Sequence, residues 1–185
     1  MKRKGVVLAL VVLCVLGLLA AVGSGERARK TRNLEDYLKS MMPVIDETEK
    51  LAATWDELRQ QSAAGRISDL EFGARVLNDL MPRTRDLAER AEALSADVAP
   101  ELRDAHEELI NALNLNLQAF SEVVAAVDTG DYSRITSANR LLSDARAAER
   151  RYVQKLDELA AEYGIKLGGV NSHFNLAQPL PIFAD

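Results

Sequence analysis

The apolar residues between Asn33 and Tyr163 recur in steps of three and four, which is the spacing of one face of an α-helix. Turn-like breaks divide this pattern into four segments. They run roughly over residues 33–63, over residues 68–97, from residue 100 to the break at 129–131, and from there to about residue 163. No single helix of this kind can bury its own apolar stripe. The pattern therefore predicts an all-α fold, an antiparallel four-helix bundle with coiled-coil-like spacing.

Local signals at the segment ends agree with this division. Asn33 can cap the start of the first helix, and Ser68 followed by Glu71 has the spacing of a capping box. Pro100 suits the first turn of the third helix. Gly164 is a typical residue to end the fourth.

The stripes also predict which residues form the core. Trp55, the only tryptophan, lies on the stripe of the first helix and is expected to anchor the core. The fourth stripe is interrupted only by Glu149. The stripe of the second segment comprises Leu70, Gly73, Leu77, Leu80, Thr84, Leu87, Ala91 and Leu94.

The third segment contains the alternating stretch LNLNL, which resembles a half-buried strand. On a helical wheel, however, its neighbours separate into a polar face and an apolar face. The apolar face comprises His106, Ile110, Leu113, Leu117, Phe120, Val124 and Val127. Asn116 lies at the margin of this face, where it can fix the helix register or contact a ligand. His106 is either an imidazole at the edge of the core or a ligand.

A stretch of nineteen uncharged residues, 5–23, follows the basic start Lys2-Arg3-Lys4. Its helical length, roughly 28 Å, matches the hydrocarbon core of a bilayer. Residues 1–23 are therefore predicted to form one transmembrane helix or signal anchor, followed by a charged neck at 24–32. The positive-inside rule favours a single-pass protein with its domain outside the cytoplasm. Cleavage after Gly23 would instead give a secreted protein.

The 185-residue chain has a net charge of −5, but its basic residues are concentrated near the start. Residues 1–32 carry seven basic residues and one acidic residue, and the remainder is strongly acidic. An acidic body disfavours a nucleic-acid partner, while a basic segment beside an apolar run suits a membrane surface. Cys14 is the only cysteine, so the chain cannot form an internal disulfide.

No arrangement of residues indicates catalysis, a cofactor or a metal site. His106 and His173 are the only histidines, and the residue three before His106 is Arg103, so the Glu-x-x-His motif of diiron bundles is absent. Pro43 and Pro82 each fall inside a helical pattern after a similar Met-containing stretch. Each is expected to bend its helix or to act as a hinge.

Residues 139–167, NRLLSDARAAERRYVQKLDELAAEYGIKL, resemble the closing helix of small bacterial proteins with an N-terminal anchor or signal and an extracytoplasmic helical bundle. The layout is also similar to the LemA family, but the arginine-rich motif that leads into a Pro-Asn pair in that family is missing. The resemblance implies no activity. An apolar, proline-containing tail, 164–185, follows and can pack on the bundle or bind a partner.

These observations predict a non-enzymatic, membrane-tethered bundle that serves as an interaction or accessory module of the cell envelope. Its expected partners are the membrane, through residues 5–23, and an envelope protein, and self-association is a further option. The alternative is a ligand-sensing bundle resembling a chemoreceptor periplasmic domain. A cavity near His106 and Asn116 would favour this alternative.

Overall fold

The computed structural model describes residues 25–165, which are helical apart from short connections and contain no strand. Five α-helices, a π-helical segment and two 3-10 turns make up this part of the chain. They are α1 (Gly25–Ala63), α2 (Asp69–Arg75), the π segment (Val76–Leu80), α3 (Met81–Leu94), the 3-10 turns (Ser95–Asp97 and Pro100–Leu102), α4 (Arg103–Thr129) and α5 (Ser133–Tyr163). Because α2, the π segment and α3 follow one another without a break, the structure has four helical rods. The prediction of an all-α fold with four helical segments is confirmed.

Side-chain contacts show that neighbouring rods are antiparallel. Between α1 and the second rod, Arg75 bonds Gln61 at 3.2 Å and Arg83 bonds Glu47 at 2.9 Å. Across α4 and α5, Arg134 bonds Glu122 at 2.9 Å and Arg151 bonds Glu108 at 2.9 Å, so residue numbers rise on one helix as they fall on the other. These contacts give the up-down order that short connections favour.

The most extensive helix pair is α4 with α5. The buried face of α4 carries alanine at every seventh position, and α5 repeats this at two positions. These residues are Ala105, Ala112, Ala119, Ala126, Ala138 and Ala145. Since interaxial distance depends on the side chains at the contact, alanine allows these two helices to pack closely.

Helix α1 begins at Gly25, earlier than the expected start at Asn33. Asn33 is therefore not a cap, and its amide instead donates to Glu101 Oε1 at 2.8 Å. The residues expected as a neck from Gly25 onward belong to α1. Residues 5–23, predicted to cross the membrane, lie outside the described residues, and within residues 25–165 no helix is long and apolar enough to span a bilayer.

Other predicted signals are observed directly. Ser68 Oγ accepts from the backbone N–H of Glu71 at 3.2 Å, which is one of the two bonds of a capping box, whereas the Glu71 carboxylate pairs with Arg75 at 2.7 Å. Pro100 opens a 3-10 turn before α4. Gly164 follows α5 with φ 75°, the left-handed conformation that glycine adopts without a steric penalty.

The predicted stripe of the second rod is wrong at Leu70 and Leu77, which are 73% and 47% exposed. The cause is the π segment, in which the N–H of Met81 bonds the Val76 carbonyl five residues back. This longer turn shifts the buried face by one residue, so that Val76 takes the place expected for Leu77.

Candidate functional site

The first buried polar cluster is centred on His106, which is 2% exposed. Its Nδ1 lies 3.2 Å from the Tyr37 hydroxyl. Its Nε2 lies 3.0 Å from the Ala91 carbonyl and 3.2 Å from Ser95 Oγ. The Tyr37 hydroxyl also interacts with that of Tyr152, which belongs to α5. The imidazole, itself on α4, is thus held directly by groups from α1 and from the second rod with its 3-10 turn, while Tyr152 of α5 reaches it through Tyr37.

These contacts determine where the imidazole proton lies. Because a carbonyl only accepts, Nε2 of His106 carries the proton toward Ala91, and Nδ1 accepts from the Tyr37 hydroxyl. Burial lowers the pKa of His106, consistent with a neutral ring. Burial raises the pKa of Tyr37, and it raises the pKa of Tyr152 to about 12. The cluster therefore consists of neutral groups.

The second buried cluster pairs Asn116 of α4 with Glu149 of α5. Asn116 Nδ2 donates to Glu149 Oε1 at 3.4 Å, and the two residues are 0% and 3% exposed. The other oxygen of each side chain, Asn116 Oδ1 and Glu149 Oε2, is buried without a hydrogen-bond partner. Burial raises the pKa of Glu149 to about 7, although Asn116, Arg146 and Arg150 act in the opposite direction.

The helical wheel placed Asn116 at the margin of the apolar face, and this placement is wrong. Asn116 lies in the middle of the buried face, between Ala112 and Ala119. The wheel placed the centre of the apolar face too close to the large residues Ile110 and Val124, which are only partly buried. Four of the ten buried residues of α4 are alanines, and their small side chains let the partner helix approach closely.

His106 and Asn116 do not form one site. They are ten residues apart on α4, which is about 15 Å along a helix, and each contacts a different set of residues. Sequence reasoning did not assign Tyr37 or Tyr152 to the His106 cluster, since nothing in the sequence gives the alignment of distant helices. Glu149 carried a signal, because it is the only charge on an apolar stripe.

Pro43 and Pro82 are brought together in space. Both line a surface concavity of about 400 Å³, together with Glu47, Arg83, Asp86 and Arg90. Pro43 is exposed within α1, and Pro82 is exposed at the start of α3 directly after the π segment. Proline lacks the N–H that would bond four residues back, which is consistent with a π turn at this point. The suggestion that either proline is a hinge stays a prediction.

Three large apolar side chains are exposed toward the end of the bundle that the connections 64–68 and 130–132 form. Leu70, Leu77 and Tyr132 are 73%, 47% and 42% exposed. The Tyr132 hydroxyl donates to Asp69 Oδ2 at 3.1 Å, which links the α4–α5 connection to the start of α2. We call Leu70, Leu77 and Tyr132 the distal patch.

No group of three or more His, Cys, Asp or Glu side chains within residues 25–165 is arranged to hold a metal ion. His173 and the tail lie outside the described residues.

Comparison with models of known families, with curated proteins and with solved structures finds no match for this chain.

Proposed function

We propose that this protein is a non-enzymatic, membrane-tethered bundle outside the cytoplasm that acts as an interaction or accessory module of the cell envelope. The distal patch carries this proposal, because its three members are the large hydrophobic side chains that are exposed within residues 25–165. Exposed apolar residues that lie together on a protein surface are typical of protein-interaction sites.

The opposite end of the bundle is suited to lie near a membrane. Arg27, Arg29 and Arg32 are exposed on the first turns of α1, directly after the apolar residues 5–23. Lys30 lies 3.5 Å from Glu162 and 5.8 Å from the centre of the Tyr163 ring. The start of α1 is thereby attached to the end of α5. A lipid surface attracts exposed basic residues at such a position.

The two ends are far apart. Helix α1 has 39 residues, which corresponds to a length of about 58 Å. A bundle tethered at Gly25 therefore carries the distal patch well away from the bilayer. This arrangement favours contact between the patch and a second envelope protein over contact with lipid.

The buried polar groups also support an interaction role over ligand sensing. His106 is enclosed and bonded by Tyr37 and Ala91, and Asn116 is enclosed beside Glu149. Each therefore contacts protein groups. The concavity at Pro43 and Pro82 lies on the surface and is bordered by ion pairs, including Arg90 with Asp86 at 3.3 Å.

The test is a photocrosslinking amino acid placed at Leu77 in the full chain, expressed in intact cells. We expect a crosslink to a second envelope protein, because this side chain is exposed within the distal patch. The same crosslinker at Ala53, which is exposed on α1, is the matched control and should give no such product. Equal products from both positions would overturn the proposal. A product of twice the chain mass would also overturn it and would identify a second copy as the occupant.

A further inference from the structure

The contact between Asn116 and Glu149 is a polar pair inside an interface that is otherwise rich in alanine. One hydrogen bond joins the two side chains, from Asn116 Nδ2 to Glu149 Oε1. Each group keeps one buried oxygen without a partner. Because buried polar atoms in folded proteins are nearly always bonded, two orphaned oxygens in one pair need a physical explanation.

The explanation depends on the protonation state of the carboxyl group. In an ionised pair, Glu149 Oε2 and Asn116 Oδ1 are both acceptors, and neither can satisfy the other. A carboxylic acid has one O–H donor. With its proton on Oε2, Glu149 can donate to Asn116 Oδ1 while Oε1 accepts from Nδ2, so that two hydrogen bonds join the side chains.

We propose that Glu149 is protonated in the folded bundle and forms a two-bond acid–amide pair with Asn116, so that loss of this proton weakens the α4–α5 interface. The core would then contain a proton-binding site. The inference rests on the described core and does not depend on the proposed membrane placement.

The positive charges near Glu149 do not outweigh the effect of burial, which favours the protonated carboxyl group. Arg146 and Arg150, on the same helix, are the positive charges that act on this carboxyl, and their effect is smaller than that of burial. From α4 the neighbour is the neutral Asn116. Arg59 of α1 interacts with Arg146 and ion-pairs with Asp56 at 3.2 Å. No titratable group of the second rod, within the described residues, contributes to the pKa of Glu149.

The sign of the pH effect follows from the direction of the shift. The pKa of Glu149 is raised from 4.5 to about 7, so the folded protein binds this proton more tightly than the unfolded chain. The stabilisation is fully present below pH 4.5 and is lost as pH rises through about 7. Within this window the unfolding constant should rise by up to about tenfold per pH unit, or roughly 300-fold in total.

The experiment uses the full chain in detergent micelles and two readouts. Infrared difference spectra between wild type and Glu149→Gln should show a protonated carboxyl band that disappears as pH rises through about 7. Amide hydrogen exchange across α4 and α5, corrected for its intrinsic pH dependence, should accelerate in wild type over the same range. Glu149→Gln should keep the slow exchange at every pH, because its amide can form both bonds with Asn116.

A matched control separates this site from ordinary acidic residues. Glu108 is also an α4–α5 contact, but it pairs with Arg151 at 2.9 Å. Glu108→Gln should therefore leave the infrared band and its pH range unchanged. Absence of the band near pH 5.5, or wild-type exchange that follows the same pH dependence as Glu149→Gln, would overturn the proposal. The variant Asn116→Leu should retain the band but exchange faster at low pH; unchanged exchange would show that no acid–amide pair forms.

Discussion

Removal of the Tyr37 hydroxyl group should lower the free energy of unfolding, because this group is a buried hydrogen-bond donor. Tyr37→Phe removes the donor to His106 Nδ1, at 3.2 Å, and leaves the ring in place. His106 cannot compensate by moving its proton to Nδ1, because Nε2 needs that proton for the Ala91 carbonyl at 3.0 Å. A buried nitrogen lone pair is then left without a partner.

The expected cost follows from that orphaned atom. A buried polar group without a hydrogen bond costs about 1–3 kcal/mol, and His106 is only 2% exposed, so water cannot replace the donor. The Tyr152 hydroxyl, which is fully buried, loses its interaction with Tyr37 as well. No large cavity forms, because only a hydroxyl is removed. We expect Tyr37→Phe to lower the free energy of unfolding by about 1–3 kcal/mol.

The assay is chemical denaturation followed by far-UV circular dichroism near neutral pH. Tyr132→Phe is the matched control, because it removes a hydroxyl that donates to Asp69 at 3.1 Å from a side chain that is 42% exposed. That variant should change stability by less than about 0.5 kcal/mol. If both variants have the same stability as wild type, the account of the His106 cluster is refuted.

Further predictions concern the buried acid, the buried imidazole and the tight helix contact. Glu149→Gln should stabilise the protein near pH 8 by roughly 3 kcal/mol. Burial raises the pKa of Glu149 from 4.5 to about 7, and the variant removes the cost of holding an ionised carboxylate in the core. Chemical denaturation near pH 4.5 should show little gain in stability. Burial lowers the pKa of His106, so its contribution to stability is present above pH 6.5 and is lost as pH falls through the lower pKa of the folded state. The melting temperature of the Glu149→Gln variant, which lacks the buried acid, should therefore fall on acidification below pH 6.5. A melting temperature that rises would contradict this expectation. Gly73→Leu should destabilise the bundle by about 1–3 kcal/mol, because a Cβ atom added at Gly73 would lie only 3.0 Å from Val127 Cγ1. An unchanged thermal midpoint would contradict this close contact.

The helical architecture could be predicted because it depends on local patterns. The spacing of apolar residues, the Ser68 cap and the glycine at residue 164 all act within a few positions of the chain. The exposure of Leu70 and Leu77 could not be predicted, since it follows from a single longer turn at Val76–Leu80 that shifts the helix face. The periodicity argument assumes a constant number of residues per turn, so it cannot indicate where a longer π turn occurs.

The candidate sites depended on contacts between distant residues. The apolar pattern draws attention to Asn116 on the third segment and to Glu149 on the fourth. Their pairing, however, depends on how α4 is aligned against α5. In the sequence Glu149 is only an interruption of the fourth apolar stripe, and its burial in the structure is not evident from that pattern. The contact of Tyr37 with His106 joins residues 69 positions apart, and no local signal encodes it.

The central claim is that a tethered bundle lies outside the cytoplasm, and cysteine labelling in intact cells tests it most directly. Ala53→Cys introduces an exposed thiol on α1, and the wild-type chain, whose only cysteine is Cys14, provides the background. We predict that a small membrane-impermeant maleimide labels the variant in intact cells as fully as after lysis. Labelling that occurs only after lysis would contradict the account.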